Sequence, residues 1–115
     1  MTMISVEGER AGLEPAAALF RSLADTTRLA IVLRLAEGPA RVVDLVGGLG
    51  LAQSTVSKHL ACLRDCGLVE SRPVGRASMF SLAQPALRDL LGEAETLLAA
   101  TGNAVALCEN YGQAR

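Results

Sequence analysis

Two of the three cysteines in this chain are spaced so that they could share a metal ion. Cys62 and Cys66 are four residues apart, a separation that places side chains on one face of an α-helix. Two thiolates on one face lie close enough for a single metal ion to bridge them. The alternative is that both are small core residues, because free cysteine is often buried and the pair adjoins the apolar Leu63. The spacing alone leaves both interpretations open.

The number of cysteines bears on the compartment and on redox chemistry. No apolar run approaches the ~20 residues that span a bilayer, and the N-terminus lacks the basic start and apolar centre of a signal peptide. We therefore expect a cytoplasmic protein with no membrane partner, in which three cysteines favour metal ligation or redox chemistry over a disulfide framework. A disulfide between Cys62 and Cys66 would need a distorted helix, because Cβ atoms at this spacing stand too far apart.

The helix that would carry these cysteines starts after a turn at Gly50 and is closed by Gly67 as its C-terminal cap. Its buried edge is formed by Val56, Leu60 and Leu63. Small polar and basic side chains occupy its start, namely Gln53, Ser54, Thr55, Ser57 and Lys58. A shorter apolar stripe precedes the turn, made of Val42, Leu45, Val46 and Leu49 and ended by Gly47, Gly48 and Gly50. Such a pair of helices predicts a helix-turn-helix whose second helix reads the major groove.

A β-hairpin is predicted directly after this helix. Two short strand patterns, Leu68–Val74 and Ala77–Leu82, flank a turn at Gly75 and Arg76. Arg72 and Arg76 of this hairpin would lie beside backbone phosphates, where contacts fix register without reading sequence. The net charge of −1 gives no overall attraction to DNA, so binding needs a local basic face. The helix is expected to add to that face with Lys58 and His59.

The remaining helices are expected to complete a dimer. Half of the residues are apolar and 3% are aromatic, a composition typical of a mostly helical bundle. Asp25 is placed to cap the second helix, and Pro85 opens a last long helix. Apolar stripes on the first and last helices lack partners in so small a domain, so we expect them to pair across a two-fold axis. The residues assigned to that interface are Leu19, Leu23, Leu87, Leu91 and Leu98.

The expected architecture is therefore mostly α with a small β-hairpin, a dimeric winged helix-turn-helix in the order α-α-α-α-β-β-α. Residues 1–12 are expected to form a flexible N-terminal arm and residues 13–101 the DNA-binding and dimerisation domain. Residues 102–115 form a C-terminal tail. An enzyme is not expected, because the only histidine lies in the reading helix and no glycine-rich phosphate loop follows a strand.

Four segments follow one another at a defined spacing. They read SLADTTR (residues 22–28), QSTVSKHL (53–60), LRDCGLV (63–69) and GR (75–76). Together they resemble the ArsR/SmtB family of metalloregulators over roughly residues 15–100. This resemblance implies a repressor that binds operator DNA as a homodimer and is released by a metal ion. The segment LACLRDCGLV (60–69) is similar to the cadmium- and lead-responsive CmtR branch of the family.

The resemblance also implies a third metal ligand. The CmtR branch takes a third thiolate from the C-terminal tail, and Cys108 is the only cysteine there in this chain. Three thiolates favour soft cations, so Cd(II) or Pb(II) is the expected effector, with As(III) and Zn(II) left open and no organic cofactor. Two other metal sites known in the family have no counterpart in this sequence. The segment Arg41–Leu45 has no Cys-x-Cys, and the last helix has no histidine.

Several alternatives stay open at this point. His59 lies three residues before Cys62 and could be a fourth ligand, although a phosphate or core contact is the competing interpretation. The protein could also be a winged-helix repressor whose cysteines sense oxidants or reactive sulfur. A third possibility is a thiolate metal carrier or interaction domain that never touches DNA. Such a carrier would bind metal yet show no salt-dependent affinity for a duplex.

Overall fold

The computed structural model describes residues 10–102. Its elements follow in the order α1 (Glu14–Ala24), α2 (Thr26–Ala36), β1 (Ala40–Arg41), α3 (Val42–Leu49), α4 (Gln53–Asp65), β2 (Val69–Val74), β3 (Ala77–Leu82) and α5 (Ala86–Ala100). The predicted helical fold with a small antiparallel hairpin is confirmed. Within residues 10–102 no helix combines the length and hydropathy needed to cross a membrane. Most of the expected N-terminal arm, nearly all of the tail and Cys108 lie outside the described residues.

The junction between α1 and α2 is held by hydrogen bonds at Asp25. Its backbone is extended, and its carboxylate accepts a bond of 2.9 Å from the backbone N–H of Arg28. This is the N-terminal cap that the sequence predicted. The Arg28 guanidinium donates in turn to the carbonyl oxygens of Ser22 at 2.8 Å and Arg21 at 3.3 Å. Two of the last four carbonyls of α1 therefore have a donor on α2, which fixes the two helices to each other.

Replacing Asp25 with alanine is expected to lower the free energy of unfolding by about 1 kcal/mol at neutral pH. The bond from the Arg28 backbone N–H, helped by the charges of Arg28 and His59, holds the pKa of Asp25 below its usual value. A carboxylate with a lowered folded pKa stabilises above its unfolded pKa of about 3.9, and that stabilisation is lost as pH falls through the folded value. Urea unfolding near neutral pH and at about pH 3 measures the difference in unfolding free energy between the parent and Asp25→Ala proteins. This difference should be smaller at the lower pH.

The matched control for this prediction is Asp89→Ala. Asp89 is an exposed acid in the first turn of α5, where Pro85 is the capping residue. Its loss removes a carboxylate without removing a cap. If the unfolding free energies of the parent and Asp25→Ala proteins differ by the same amount at both pH values, the carboxylate is not the stabilising group.

The turn between α3 and α4 differs in one detail from the prediction. Gly47 and Gly48 lie inside α3, and the helix ends only at Gly50, which adopts a left-handed φ of 67°. The N–H of Gly50 donates to the carbonyl of Val46 at 3.0 Å. Leu49 packs against the core, so tertiary contacts hold the last turn despite the low helix propensity of glycine. Gly50 therefore ends α3, three residues before α4 begins.

The end of α4 is closed by two backbone hydrogen bonds. Gly67, with a φ of 79°, donates to the carbonyl of Arg64 at 2.9 Å, and Leu68 donates to that of Leu63 at 3.0 Å. Both Leu63 and Leu68 are buried, which supplies the apolar contact that accompanies this type of cap. The prediction that Gly67 closes the helix is confirmed. Cys66 is the last residue before the reversal.

The sheet is antiparallel, with β3 between β1 and β2. The hairpin of β2 and β3 pairs Val69 with Leu82 and Val74 with Ala77, close to the predicted bounds. β1 was not predicted. It consists of two residues, and Ala40 and Phe80 form a buried pair where it joins β3. This pairing ties the hairpin to the start of α3.

The leucines assigned to the dimer interface occupy different environments. Leu87 and Leu91 are 4% and 8% exposed and belong to the core of the single chain. They therefore pack within the single chain, contrary to the expectation that the stripe lacks an intrachain partner. Leu19, Leu23 and Leu98 are only partly buried against that core. Phe20 and Leu97, which are 58% and 64% exposed, extend the apolar surface of α1 and α5. The interface itself stays a prediction.

Candidate metal and nucleic-acid site

The first two turns of α4 present the predicted reading surface to solvent. Gln53, Ser54, Ser57 and Lys58 are exposed, whereas Thr55 is half-buried. The opposite edge of the helix is held by the buried residues Val56, Leu60 and Leu63. The helix is therefore fixed by its apolar edge, and its polar edge is free to approach the edges of bases.

The hairpin supplies cations beside this helix. Arg72 lies on β2 opposite Met79, and Arg76 lies in the turn next to Gly75, whose φ is 64°. Both arginines are exposed. A hairpin whose turn projects a guanidinium is suited to contact the phosphate backbone of a duplex next to the reading helix.

Replacing Arg76 with alanine is expected to weaken binding to every duplex by about three- to tenfold and to reduce the salt dependence by about one counterion. The reason is that a phosphate contact adds affinity without reading sequence. Fluorescence anisotropy over a series of salt concentrations, with the operator and an unrelated duplex of equal length, measures both effects. A loss confined to the operator would instead make Arg76 a base-reading residue.

Cys62 lies in the last turn of α4, and Cys66 is the residue that caps the end of this helix. The backbone N–H of Cys66 donates to the carbonyl of Cys62 at 3.1 Å, so the helical spacing expected from the sequence is present. Cys62 is half-buried and Cys66 is exposed. The side chain of Cys66 is therefore not a core packing group, and the core alternative is left for Cys62 alone. A cation bound here would also lie at the C-terminal end of the helix, where the helix dipole favours positive charge.

The hydroxyl of Ser22, which was not predicted as a site residue, contacts Cys66. The Oγ of Ser22 lies 3.3 Å from the Sγ of Cys66 and donates to the carbonyl of Ala18 at 3.0 Å. Ser22 is the buried polar residue of the described core, with 7% exposure. The available signal was its position in the last turn of an amphipathic helix, where a serine at a buried site requires a partner.

His59 lies on α4 toward the start of α2 rather than with the cysteines. Its charge is one of the smaller causes that lower the pKa of Asp25, after the hydrogen bond from the Arg28 backbone. Its side chain is half-buried. Among residues 10–102 the structure gathers no group of three or more cysteine, histidine or acidic side chains, so His59 does not join the pair there.

The described residues supply part of the coordination shell of a soft metal ion. Cys62 and Cys66 supply two sulfur ligands in one helical turn, with the outer one open to solvent. Two ligands do not complete the coordination shell of Cd(II), Pb(II) or Zn(II). Cys108, the third ligand implied by the resemblance, lies outside the described residues.

Comparison with known proteins identifies the family. The description "Bacterial regulatory protein, arsR family" matches residues 25–71, which include α2, α3 and α4. A protein of Streptomyces lividans named as a probable mercury resistance operon repressor is 37% identical over 92 residues, covering 80% of this chain and 74% of that protein. The chain belongs to the ArsR family.

Two further matches place this ArsR-family chain among transcriptional regulators. The HTH-type transcriptional regulator CmtR of Mycobacterium tuberculosis is 46% identical over 77 residues, or 67% of this chain. The match spans 65% of the length of CmtR. The NMR structure of the cadmium metal-sensor CMTR from the same organism superposes with a TM-score of 0.59 at 45% identity, covering 67% of this chain and 80% of that one. The relatives are regulators and not enzymes, as the sequence led us to expect.

Proposed function

We propose that this ArsR-family protein is a repressor that binds operator DNA as a homodimer and is released when Cys62, Cys66 and Cys108 bind a thiophilic metal ion. Cd(II) or Pb(II) is the proposed effector. The observation that carries the proposal is that Cys62 lies in the last turn of α4 and Cys66 caps it, at the end of the same helix whose first turns present the predicted reading surface.

The geometry supports a direct link between metal binding and DNA binding. α4 is one continuous helix of thirteen residues, so its first turn and its cysteine-bearing last turn move as one body. Its first turns carry the polar surface, which must lie accurately against base edges to bind DNA specifically. A change in position at Cys62 and Cys66 therefore changes the approach of Gln53 and Ser57 to DNA.

The proposed release follows from differential affinity. A bound soft cation supplies an attraction that holds thiolates at coordination distance. Cys62 and Cys66 then take positions set by the third sulfur from the tail, and α4 follows them. If those positions suit the free dimer better than the DNA-bound one, metal weakens DNA binding by the factor with which DNA weakens metal binding.

Two titrations of the full chain test the proposal together. Cd(II), Pb(II), As(III) and Zn(II) are added while sulfur-to-metal absorption and operator anisotropy are followed. We expect absorption and operator release to rise in parallel for the effector and DNA affinity to fall with salt. Absorption without any duplex affinity would instead indicate a metal carrier. Release by peroxide and by none of the metals would indicate a thiol redox sensor.

A further inference from the structure

The contact between Ser22 and Cys66 joins elements that are distant in the chain. The two residues are 44 positions apart, one in the last turn of α1 and the other at the end of α4. The Ser22 side chain is buried, and its oxygen contacts both the Cys66 sulfur at 3.3 Å and the Ala18 carbonyl at 3.0 Å. A buried hydroxyl therefore lies against the sulfur that the proposed function makes a metal ligand.

Metal ligation at Cys66 changes the number of hydrogen atoms that the Ser22 oxygen, the Cys66 sulfur and the Ala18 carbonyl oxygen can share. A serine hydroxyl carries one hydrogen, which Ser22 donates to the Ala18 carbonyl. The contact between Ser22 and Cys66 then needs the hydrogen of the thiol. A sulfur that ligates a metal has lost this hydrogen. One hydrogen then remains for two acceptors, so both hydrogen bonds cannot persist.

Of the two acceptors for the Ser22 hydroxyl hydrogen, the Cys66 thiolate is stronger than the Ala18 carbonyl oxygen. The Ala18 carbonyl belongs to the interior of α1, where it also accepts from the helical backbone. A thiolate is charged, and hydrogen bonds to charged acceptors are shorter and stronger than neutral ones. The hydroxyl of Ser22 is therefore expected to turn from Ala18 to Cys66 on ligation, which changes the bond between α1 and α4.

Ser22 is also fixed to the rest of the domain. Its carbonyl oxygen accepts a hydrogen bond of 2.8 Å from Arg28 on α2, and the backbone N–H of Arg28 is bound by Asp25. The frame formed by α1 and α2 therefore holds Ser22 in place while the sulfur moves. A change at Cys66 is thereby converted into a change in the position of α4 relative to this frame.

We infer that Ser22 is a positioning residue that transmits ligation at Cys66 to the orientation of α4 against α1 and α2. This inference rests on the proposed metal site and names a residue through which it acts on DNA binding. Ser22 is not itself a ligand, because its oxygen is a poor partner for a soft ion. Its loss should reduce the effect of metal on DNA affinity and leave metal capture in place.

The test separates capture from transmission. For the parent and the Ser22→Ala protein, Cd(II) affinity is measured by sulfur-to-metal absorption, and operator affinity by anisotropy with and without Cd(II). We expect the ratio of the two operator dissociation constants to fall about fivefold in Ser22→Ala, the effect typical of one hydrogen bond. Metal-free operator affinity should change by less than about twofold, and the Cd(II) affinity of the free protein should fall by no more than about the same fivefold, because the coupling is reciprocal. Ser22→Thr keeps the hydroxyl and should restore most of the ratio.

Thr96→Ala is the matched control. Thr96 donates to the Gly92 carbonyl at 3.3 Å, the same helical bond four residues back, on the exposed side of α5. Its removal should leave the ratio unchanged. A parent protein that Cd(II) does not release from DNA refutes the proposed function. If Cd(II) releases the parent and the ratio in Ser22→Ala equals the parental ratio, the role of Ser22 is refuted while the proposed function stands. A folded Ser22→Ala protein that binds no DNA without metal also refutes the role of Ser22.

A measurement on the parent protein covers the case in which Ser22→Ala fails to fold. Addition of Cd(II) should shift the backbone amide resonances of Ala18 and Ser22, because the hydroxyl changes its acceptor. The amides of Gly92 and Thr96 should stay in place, since that bond does not involve a ligand. Unchanged resonances at Ala18 and Ser22 in the metal-bound parent would overturn the inference.

Discussion

Replacing Cys66 with serine is expected to weaken Cd(II) binding by at least about a hundredfold and to abolish metal-dependent release of the operator. Serine is close to cysteine in size but is a poor ligand for soft ions. Because the Cys66 side chain is exposed, the substitution leaves no cavity in the core. Operator affinity without metal should therefore change by less than about twofold. Sulfur-to-metal absorption and operator anisotropy across a Cd(II) titration measure both effects.

Cys62→Ser and Cys108→Ser complete the comparison. Cys62 is half-buried in the same turn, so its variant should lose the metal response and unfold slightly more easily than the parent. Cys108→Ser should weaken metal binding or leave it intact but uncoupled from DNA. Variants at positions 62 and 66 that release DNA at the parental Cd(II) concentration would refute the thiolate site. A Cys62→Ser protein that fails to bind DNA without metal would show that the half-buried Cys62 is a packing group.

Local signals explain why α4 could be predicted from the sequence. Gly50 and Gly67 at its two ends adopt left-handed backbone conformations, which glycine reaches without strain. The apolar spacing of Val56, Leu60 and Leu63 identified its buried edge, and the structure buries all three. Asp25 likewise marked the start of α2 through its own side chain. In each case the residues that determine the feature lie within a few positions of it.

Features that depend on distant residues were not accessible in this way. β1 is a strand only because Ala40 and Arg41 pair with β3, about forty residues later. Leu87 and Leu91 follow a helical spacing that fits a core or an interface equally well, and only the packing of α5 shows that they are core residues. The contact of Ser22 with Cys66 has the same origin. The spacing identified the pair Cys62 and Cys66, whereas it could not show which group contacts Cys66.

Replacing Ser57 with leucine is expected to weaken specific operator binding by at least about a hundredfold. Ser57 is exposed one turn into α4, on the same helix edge as Gln53. A short side chain there lets the helix approach base edges, and each good base contact contributes about 1–3 kcal/mol of discrimination. Leucine has a high helix propensity and position 57 is exposed, so the fold should be retained. Anisotropy with the operator and an unrelated duplex measures the loss of specificity.

Thr96→Leu is the control that gives the Ser57 result its meaning. Thr96 is an exposed helical hydroxyl residue of α5, so the same type of substitution is made far along the chain from the reading surface. Operator affinity should remain parental in this variant. Circular dichroism and sedimentation should show that both variants keep the parental fold and assembly. Because only the approach to base edges is blocked in Ser57→Leu, its affinity for the unrelated duplex should fall much less than its affinity for the operator. Parental operator affinity in Ser57→Leu would place the reading surface on another part of the protein.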